Sequence, residues 1–394
     1  MHQSQLSTNQ DRRLAGSFYF LFFGAAASLF PFLVILYEQL DLTGSQIGFL
    51  IGMSPLISWL SAPLWGAVAD STRQHRLLLM LAIAGAIVVV GTLSITTQFL
   101  ALILVIALFA FFTAPIVPIV DSSVLAFLGS QKDQYGKLRL WGAIGWGLMA
   151  PLVGWLSERS GMQWIFWGYI AFMLLTLLVS YKLPINERSD RPHFVQEARQ
   201  LLADKRWFLF LAVVFIGGAG MTMISAYLFL YMQSLGGNKA LMGLALTFAT
   251  ISEIPFLYYS DRLLAHWGAR RLLMLSLVVF AFRALALSLI QTAWLVLPLQ
   301  LLHGASFAAM WVASVSYADK LAPPGMGATA QGLLSGAMFG LGAAFGGFVG
   351  GLLFAGIGGS MMYRWTSVAL LIGLVLFILA DRRMVRAQTS AQKT

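Results

Sequence analysis

Asp121, Glu253, Arg283 and His303 are ionisable, yet each sits inside a long run of apolar residues. A charge moved into hydrocarbon costs at least about 2.5–3.5 kcal/mol on insertion scales, so such groups face one another or a water-filled path. They are the residues placed to handle a solute or protons. Arginine cannot shed its proton, which makes Glu253 the natural counter-ion of Arg283. His303 is the only one of the five histidines within an apolar run, and imidazole changes charge in the physiological range.

Spacing brings these groups to similar depth. Arg283 and His303 lie ten residues either side of Ala293, in the turn between two runs, so both sit roughly 15 Å along their helices from that turn. Glu253 is fifteen residues from the turn at Asn238, slightly deeper. In the first part of the chain Asp121 and Arg139 lie nine residues either side of Ser130, each roughly 13 Å from it and able to pair across a hairpin. Trp146 follows Arg139 by two turns on the same helix face, where an aromatic plane can hold a sugar or aromatic ring. Each has a plainer use: an ion pair or latch for Asp121 and Arg139, packing for His303 and Trp146.

The elements that must position them are membrane helices. With 59% hydrophobic residues, 10% charged residues and a mean hydropathy of +0.81, a soluble globular chain is excluded. Twelve apolar runs fall at about 14–37, 45–69, 77–96, 99–128, 138–157, 163–182, 207–233, 240–260, 272–290, 293–318, 327–355 and 361–380. Their lengths suit a bilayer-crossing helix and not the short alternating strands of a membrane β-barrel. With the N-terminus inside, 21 Lys and Arg fall on the inner side and three (Arg159, Lys239, Arg364) on the outer, with Arg283 inside a span. That asymmetry puts both termini in the cytoplasm. The net charge of +10 therefore reports topology and calls for no nucleic acid. Cysteine is absent, which excludes disulfide and thiol chemistry. The first run is expected to remain as a span.

The long polar stretch Leu183–Arg206 divides the runs six and six. An offset of 191 superimposes Asp70 on Asp261, Gly136 on Gly327 and Gly145 on Gly336. Six plus six around a linker is the parallel-repeat design of one transporter class. The loop after the second run carries Gly66, Asp70, Arg73 and Arg76; its counterpart carries Asp261, Arg270 and Arg271. This resembles the loop signature of the major facilitator superfamily, in which the Asp and basic residues latch helix ends in one conformational state. Ser71 and Arg73 depart from it, standing where the family often has a basic residue and Gly.

Two narrower resemblances follow. Pro118-Ile-Val-Asp121 with Tyr135-Gly-Lys-Leu-Arg139 and Trp146, together with Glu253, Arg283 and His303, is distantly similar to the lactose permease family. The resemblance implies solute binding at Asp121, Arg139 and Trp146. Ser306 replaces that family's proton-carrying Glu and Phe256 its sugar-contacting Asn, which argues against galactoside recognition. Tyr135-Gly-x-x-Arg139-x-Trp141-Gly142, Glu253-x-Pro255, Leu302-His303-Gly304 with Ser306-Phe307, and Ala330-Gln331-Gly332 resemble the phenylpropionate permease-like proton symporters.

The expectation is an all-α membrane protein with the major facilitator fold, twelve transmembrane helices in two six-helix bundles. Its parts are an N-terminal bundle at 1–182, a cytoplasmic linker at 183–206 and a C-terminal bundle at 207–394. It is expected in the cell (inner or plasma) membrane as a proton-coupled symporter of an aromatic or other organic acid, or a sugar. Glu253, His303 and Asp121 would carry protons; Asp121, Arg139, Trp146, Glu253, Arg283 and His303 would bind solute. The partners are a small-molecule substrate, protons and the lipid bilayer, the chain is expected as a monomer, and no cofactor beyond the proton gradient is implied. Ala150-Pro151-Leu-Val-Gly154 partly resembles an antiporter signature, which keeps export open; a non-transporting sensor is a further alternative. No metal cluster, phosphate loop or nucleophile–base pair points to an enzyme. Seven glycines crowd 336–351, where helices can approach closely and slide, and Pro115, Pro118 and Pro255 can loosen helices beside the polar residues.

Overall fold

A computed structural model describes residues 2–129, 134–185, 194–323 and 326–391. Among them every regular element is helical, so each span satisfies its own backbone N–H and C=O groups in hydrocarbon. The spans are α1 (Asn9–Gln39), α2 (Gly44–Ala69), α3 (His75–Leu93), α4 (Phe99–Leu128), α5 (Tyr135–Ser160), α6 (Gln163–Lys182), α7 (Lys205–Ser234), α8 (Lys239–Tyr258) and α9 (Ala269–Leu289). Next comes α10, made of Ala293–Gln300 and Gly304–Leu321 with a bend of 41° between them. The apolar stretch Thr329–Leu379 is 51 residues long, too long for one crossing at about 20 residues. It breaks at Gly358, whose φ of 77° belongs to the left-handed region, and supplies α11 (329–357) and α12 (359–379).

Contacts with α7 prove the reversal at Gly358. Gly218 meets Met338 and Tyr227 meets Gly350, so α11 runs parallel to α7; Tyr231 meets Tyr363 and Ile216 meets Gly373, so α12 runs back. The apolar runs read from sequence and these helices agree to within a few residues. Helix starts are fixed by local chemistry: Thr43 and Gln46 form a reciprocal capping box on α2, and Asn238 accepts from the Leu241 amide at 2.9 Å on α8. In α4 the helix is interrupted at Ala114–Pro115, whereas α8 continues through Pro255.

Within the first six spans, α1 packs on α5 and α6, and α3 on α4 and α6. Within the last six, α7 packs on α11 and α12, and α9 on α10 and α12. The two sets meet mainly through α5 against α8 and α2 against α11. Glycine sets the spacing at both crossings. A Cβ on Gly48 would stand 2.8 Å from the Gly351 Cα, one on Gly347 2.6 Å from the Gly52 Cα, and one on Gly243 2.5 Å from the Pro151 Cα. These contacts concentrate on the face opposite the chain termini. There Gln233 donates to Glu38 at 2.5 Å, the Lys239 amide to Glu158 at 3.0 Å, and Thr247 to the Gly147 carbonyl at 2.8 Å. The halves are thus closed on that face.

Gly48→Val should hold α2 and α11 apart there. With cysteines placed at exposed Ser45 and Ile357 in this cysteine-free chain, spin-label distances should lengthen relative to the parent. An unchanged distance would show that the glycine crossing does not limit closure.

Candidate functional site

In the second half one chain of polar contacts joins α8, α9 and α10. Glu253 Oε1 lies 2.8 Å from His303 Nε2, and Arg283 Nη1 lies 2.8 Å from His303 Nδ1. Arg283 Nη2 donates to the Gln300 amide oxygen, and Ser306 Oγ is 3.5 Å from Nη1. Arginine only donates, so His303 Nδ1 is the acceptor and its proton sits on Nε2, given to Glu253. His303 is therefore the neutral middle of a relay between a carboxylate and a guanidinium. Phe307 stacks on its ring at 5.2 Å.

Similar depth put these three residues in one layer, and the structure brings them together. Their connectivity differs from the simple ion pair expected of Glu253 and Arg283. The imidazole stands between the two charges because α10 passes between α8 and α9 at this level, presenting His303 to both. Arg283 is 2% exposed and has neutral direct partners, while His303 and Glu253 keep 15% and 19% of their side chains exposed. The guanidinium is the sealed end and the carboxylate the accessible one. Gln300 escaped the sequence reading, although it is one turn from His303.

In the first half Asp121 of α4 accepts from the Tyr19 hydroxyl of α1 at 2.6 Å. Tyr135 and Arg139 of α5 act on the same carboxylate. The Arg139 guanidinium carbon is 4.1 Å from the Phe23 ring centre and 5.3 Å from that of Tyr19. The aromatic faces contribute cation–π attraction and leave guanidinium edges for other acceptors. Tyr19 is 102 residues from Asp121, and no local spacing could have paired them. Trp146 is half-buried against the apolar core, between Gly145, which abuts the Phe20 carbonyl, and Gly147, which abuts Thr250.

The signature loops lie on the termini face. Arg76 donates to the Leu183 carbonyl at 3.1 Å, placing a cation at the C-terminal end of α6 where the helix dipole favours it. Arg73 caps the helix Gly44–Thr72, which continues α2, with φ of 55°, a left-handed conformation that accounts for the glycine the wider pattern carries here. Gly66 has open space around it. Asp261 opens the short helix Ser260–Trp267 and is exposed, as is Arg271; Arg270 is half-buried. The side chain of Asp70 lies outside the described residues, as does Ser130.

Two six-helix bundles with polar residues stranded at mid-depth are the architecture of the major facilitator class of membrane transporters. More narrowly, the MFS_1 like family matches residues 13–365, and the chain belongs to it. It is 33% identical over 368 residues to the maltose permease of Geobacillus stearothermophilus, with 93% of each chain covered. It is 25% identical over 311 residues to the probable 3-phenylpropionic acid transporter of Escherichia coli (strain K12), covering 76% of this chain and 80% of that one. The crystal structure of the nucleoside transporter NupG superposes with a TM-score of 0.83 at 17% identity, covering 94% of this chain and 98% of that chain.

Two substitutions test the local readings. Arg73→Gly removes a left-handed penalty of about 1–2 kcal/mol against a glycine entropy loss of roughly 0.5–1 kcal/mol, so thermal unfolding should move upward. A fall would assign the guanidinium a bond worth more than the strain. Tyr19→Phe deletes only the hydroxyl on a carboxylate, a bond of about 1.5–3 kcal/mol, and should lower the unfolding midpoint; no change would make that contact idle.

Proposed function

We propose that this protein is a proton-coupled symporter that carries a small neutral polyhydroxylated solute of the sugar class by alternating access. The Glu253–His303–Arg283 relay is the observation that carries the reading. A second proton on His303 must go to Nδ1, where it meets the N–H of Arg283 instead of giving it an acceptor. Protonation thus breaks the His303–Arg283 bond and strengthens His303–Glu253. Charge and hydrogen bonding change together at one atom, which is what coupling a proton to a rearrangement of helices requires. Glu253, with its exposed edge, is the entry and exit of the proton.

Charge balance favours a neutral solute over a carboxylate. Arg283 is matched through His303 by Glu253, and Arg139 stands beside Asp121, so neither half offers an uncompensated cation. Tyr19, Tyr135, Asp121 and the edges of Arg139 present hydroxyls, an acceptor and donors, the groups that recognise a polyol. Similarity to a maltose permease over 93% of both chains points the same way. The excess of Lys and Arg on the termini face supports reading that face as the cytoplasmic one of a plasma or inner membrane. Closure on the opposite face then corresponds to an inward-open state, with the two halves rocking about the central layer.

Reconstituted into liposomes, Glu253→Gln should retain solute counterflow and lose accumulation driven by a pH gradient. Accumulation at the parent's level in that variant would end the proton assignment. Disaccharides, but not phenylpropionate, should raise the unfolding temperature of the purified parent; the reverse order would replace the sugar reading with an organic-acid one.

A further inference from the structure

The bend of 41° in α10 falls at His303. Before it the helix winds tighter, since the amides of Leu301 and Leu302 reach back three residues to the carbonyls of Pro298 and Leu299, both at 3.2 Å. After it the helix winds wider, through a π segment at Gly304–Ala308. Bends of this size have a local cause, and one such cause is a side chain inserted into the i→i−4 ladder. Here the side chain comes from α8. The Ser252 hydroxyl accepts from the Gly304 amide at 2.9 Å and lies 3.3 Å from the Gln300 carbonyl. Those two groups are the ends of one i→i−4 rung of α10. The hydroxyl shares its single proton with the Ala249 carbonyl at 2.7 Å. A Cβ at Gly304 would run into the Ser252 carbonyl, so this approach needs glycine.

Both ends of that rung belong to the polar relay. Gln300 takes a hydrogen bond from Arg283 through its side chain, and Gly304 follows His303 directly. Ser252 precedes Glu253, so neighbouring residues of α8 hold the opened backbone and the imidazole. The groups facing His303 are Glu253 from α8 and Arg283 from α9, with Phe307 of its own helix stacked on the ring.

We propose that Ser252 is the positioning residue of a hinge in α10, turning a change at Glu253–His303 into a swing of the arm Gly304–Leu321. The step from proton to motion rests on the proton-symport reading above; the hinge itself does not. When α8 and α10 shift at the relay, the hydroxyl leaves the rung, Gln300 and Gly304 bond to each other, and α10 straightens. The arm is 18 residues from Gly304 to Leu321, so recovering half of the bend moves its tip by roughly 10 Å. That tip packs on the start of α11 and on the short helix Ser260–Trp267, where the termini face opens and closes.

Ser252→Ala removes one oxygen and leaves the packing volume. Cysteines at exposed Ala265 and Lys320, spin-labelled in the otherwise cysteine-free chain, report the arm's position without any solute. The variant should shift that distance by roughly 5–10 Å, keep counterflow and lose pH-driven accumulation. An unchanged distance overturns the hinge. A shifted distance with accumulation intact overturns its role in coupling. Absence of pH-driven accumulation in the parent protein would instead sink the symport reading, and the distance measurement would still decide the hinge.

Discussion

A guanidinium at mid-depth in a bilayer has no solvent to retreat to, and Arg283 is 2% exposed. Its charge has to be answered by the protein, and the nearest atoms are the neutral ones of His303, Gln300 and Ser306. The balancing carboxylate lies one imidazole away. A direct, fully paired arginine–carboxylate bridge would be satisfied in one geometry and costly to disturb. Interposing histidine makes the balance depend on where one proton sits. Three helices must converge at this depth for the arrangement to exist, which explains the close approach of α8 to α10 at Gly304.

The two halves answer a different constraint. Under the proposed alternating access they have to touch firmly on one face and still separate. At α2–α11 and α5–α8 glycines meet backbone at several crossings, which brings the helices close, and Trp59 and Phe348 lie on glycines of the facing helix. A few side-chain bonds, Gln233 to Glu38 and Thr247 to Gly147 among them, fix the closed register. Many aromatic pairs lie inside each half, Trp207 with Phe210, Phe109 with Tyr169 and Tyr231 with Tyr363 among them, while Phe32 with Phe229 and Phe49 with Phe348 join the halves. Well-packed bundles joined through close glycine crossings are consistent with the rocking proposed above.

Most of the architecture could be read along the chain. Hydrocarbon admits only helices here, and their length is set by bilayer thickness, so apolar runs separated by polar turns gave the spans to within a few residues. The distribution of Lys and Arg supplied the proposed inner face. Depth followed as well, because a helix rises a fixed distance per residue; Glu253, Arg283 and His303 could be put in one layer before any contact was known. The left-handed residue at Arg73 left a trace too, as a mismatch at a position where glycine is usual.

Partners within the layer were a different matter. Depth places residues on a common plane but says nothing of rotation about each helix axis or of which helices are neighbours. Tyr19 on Asp121, Phe23 under Arg139 and Gln300 on Arg283 all depend on those two quantities. So does the order Glu253, His303, Arg283, in which the imidazole separates the charges that sequence alone had paired. The apolar runs determined what had to be enclosed and at what depth. Only the packing of α8, α9 and α10 against one another decided which atoms meet, because side-chain contact across helices depends on crossing angle and azimuth, and neither is a property of any one segment.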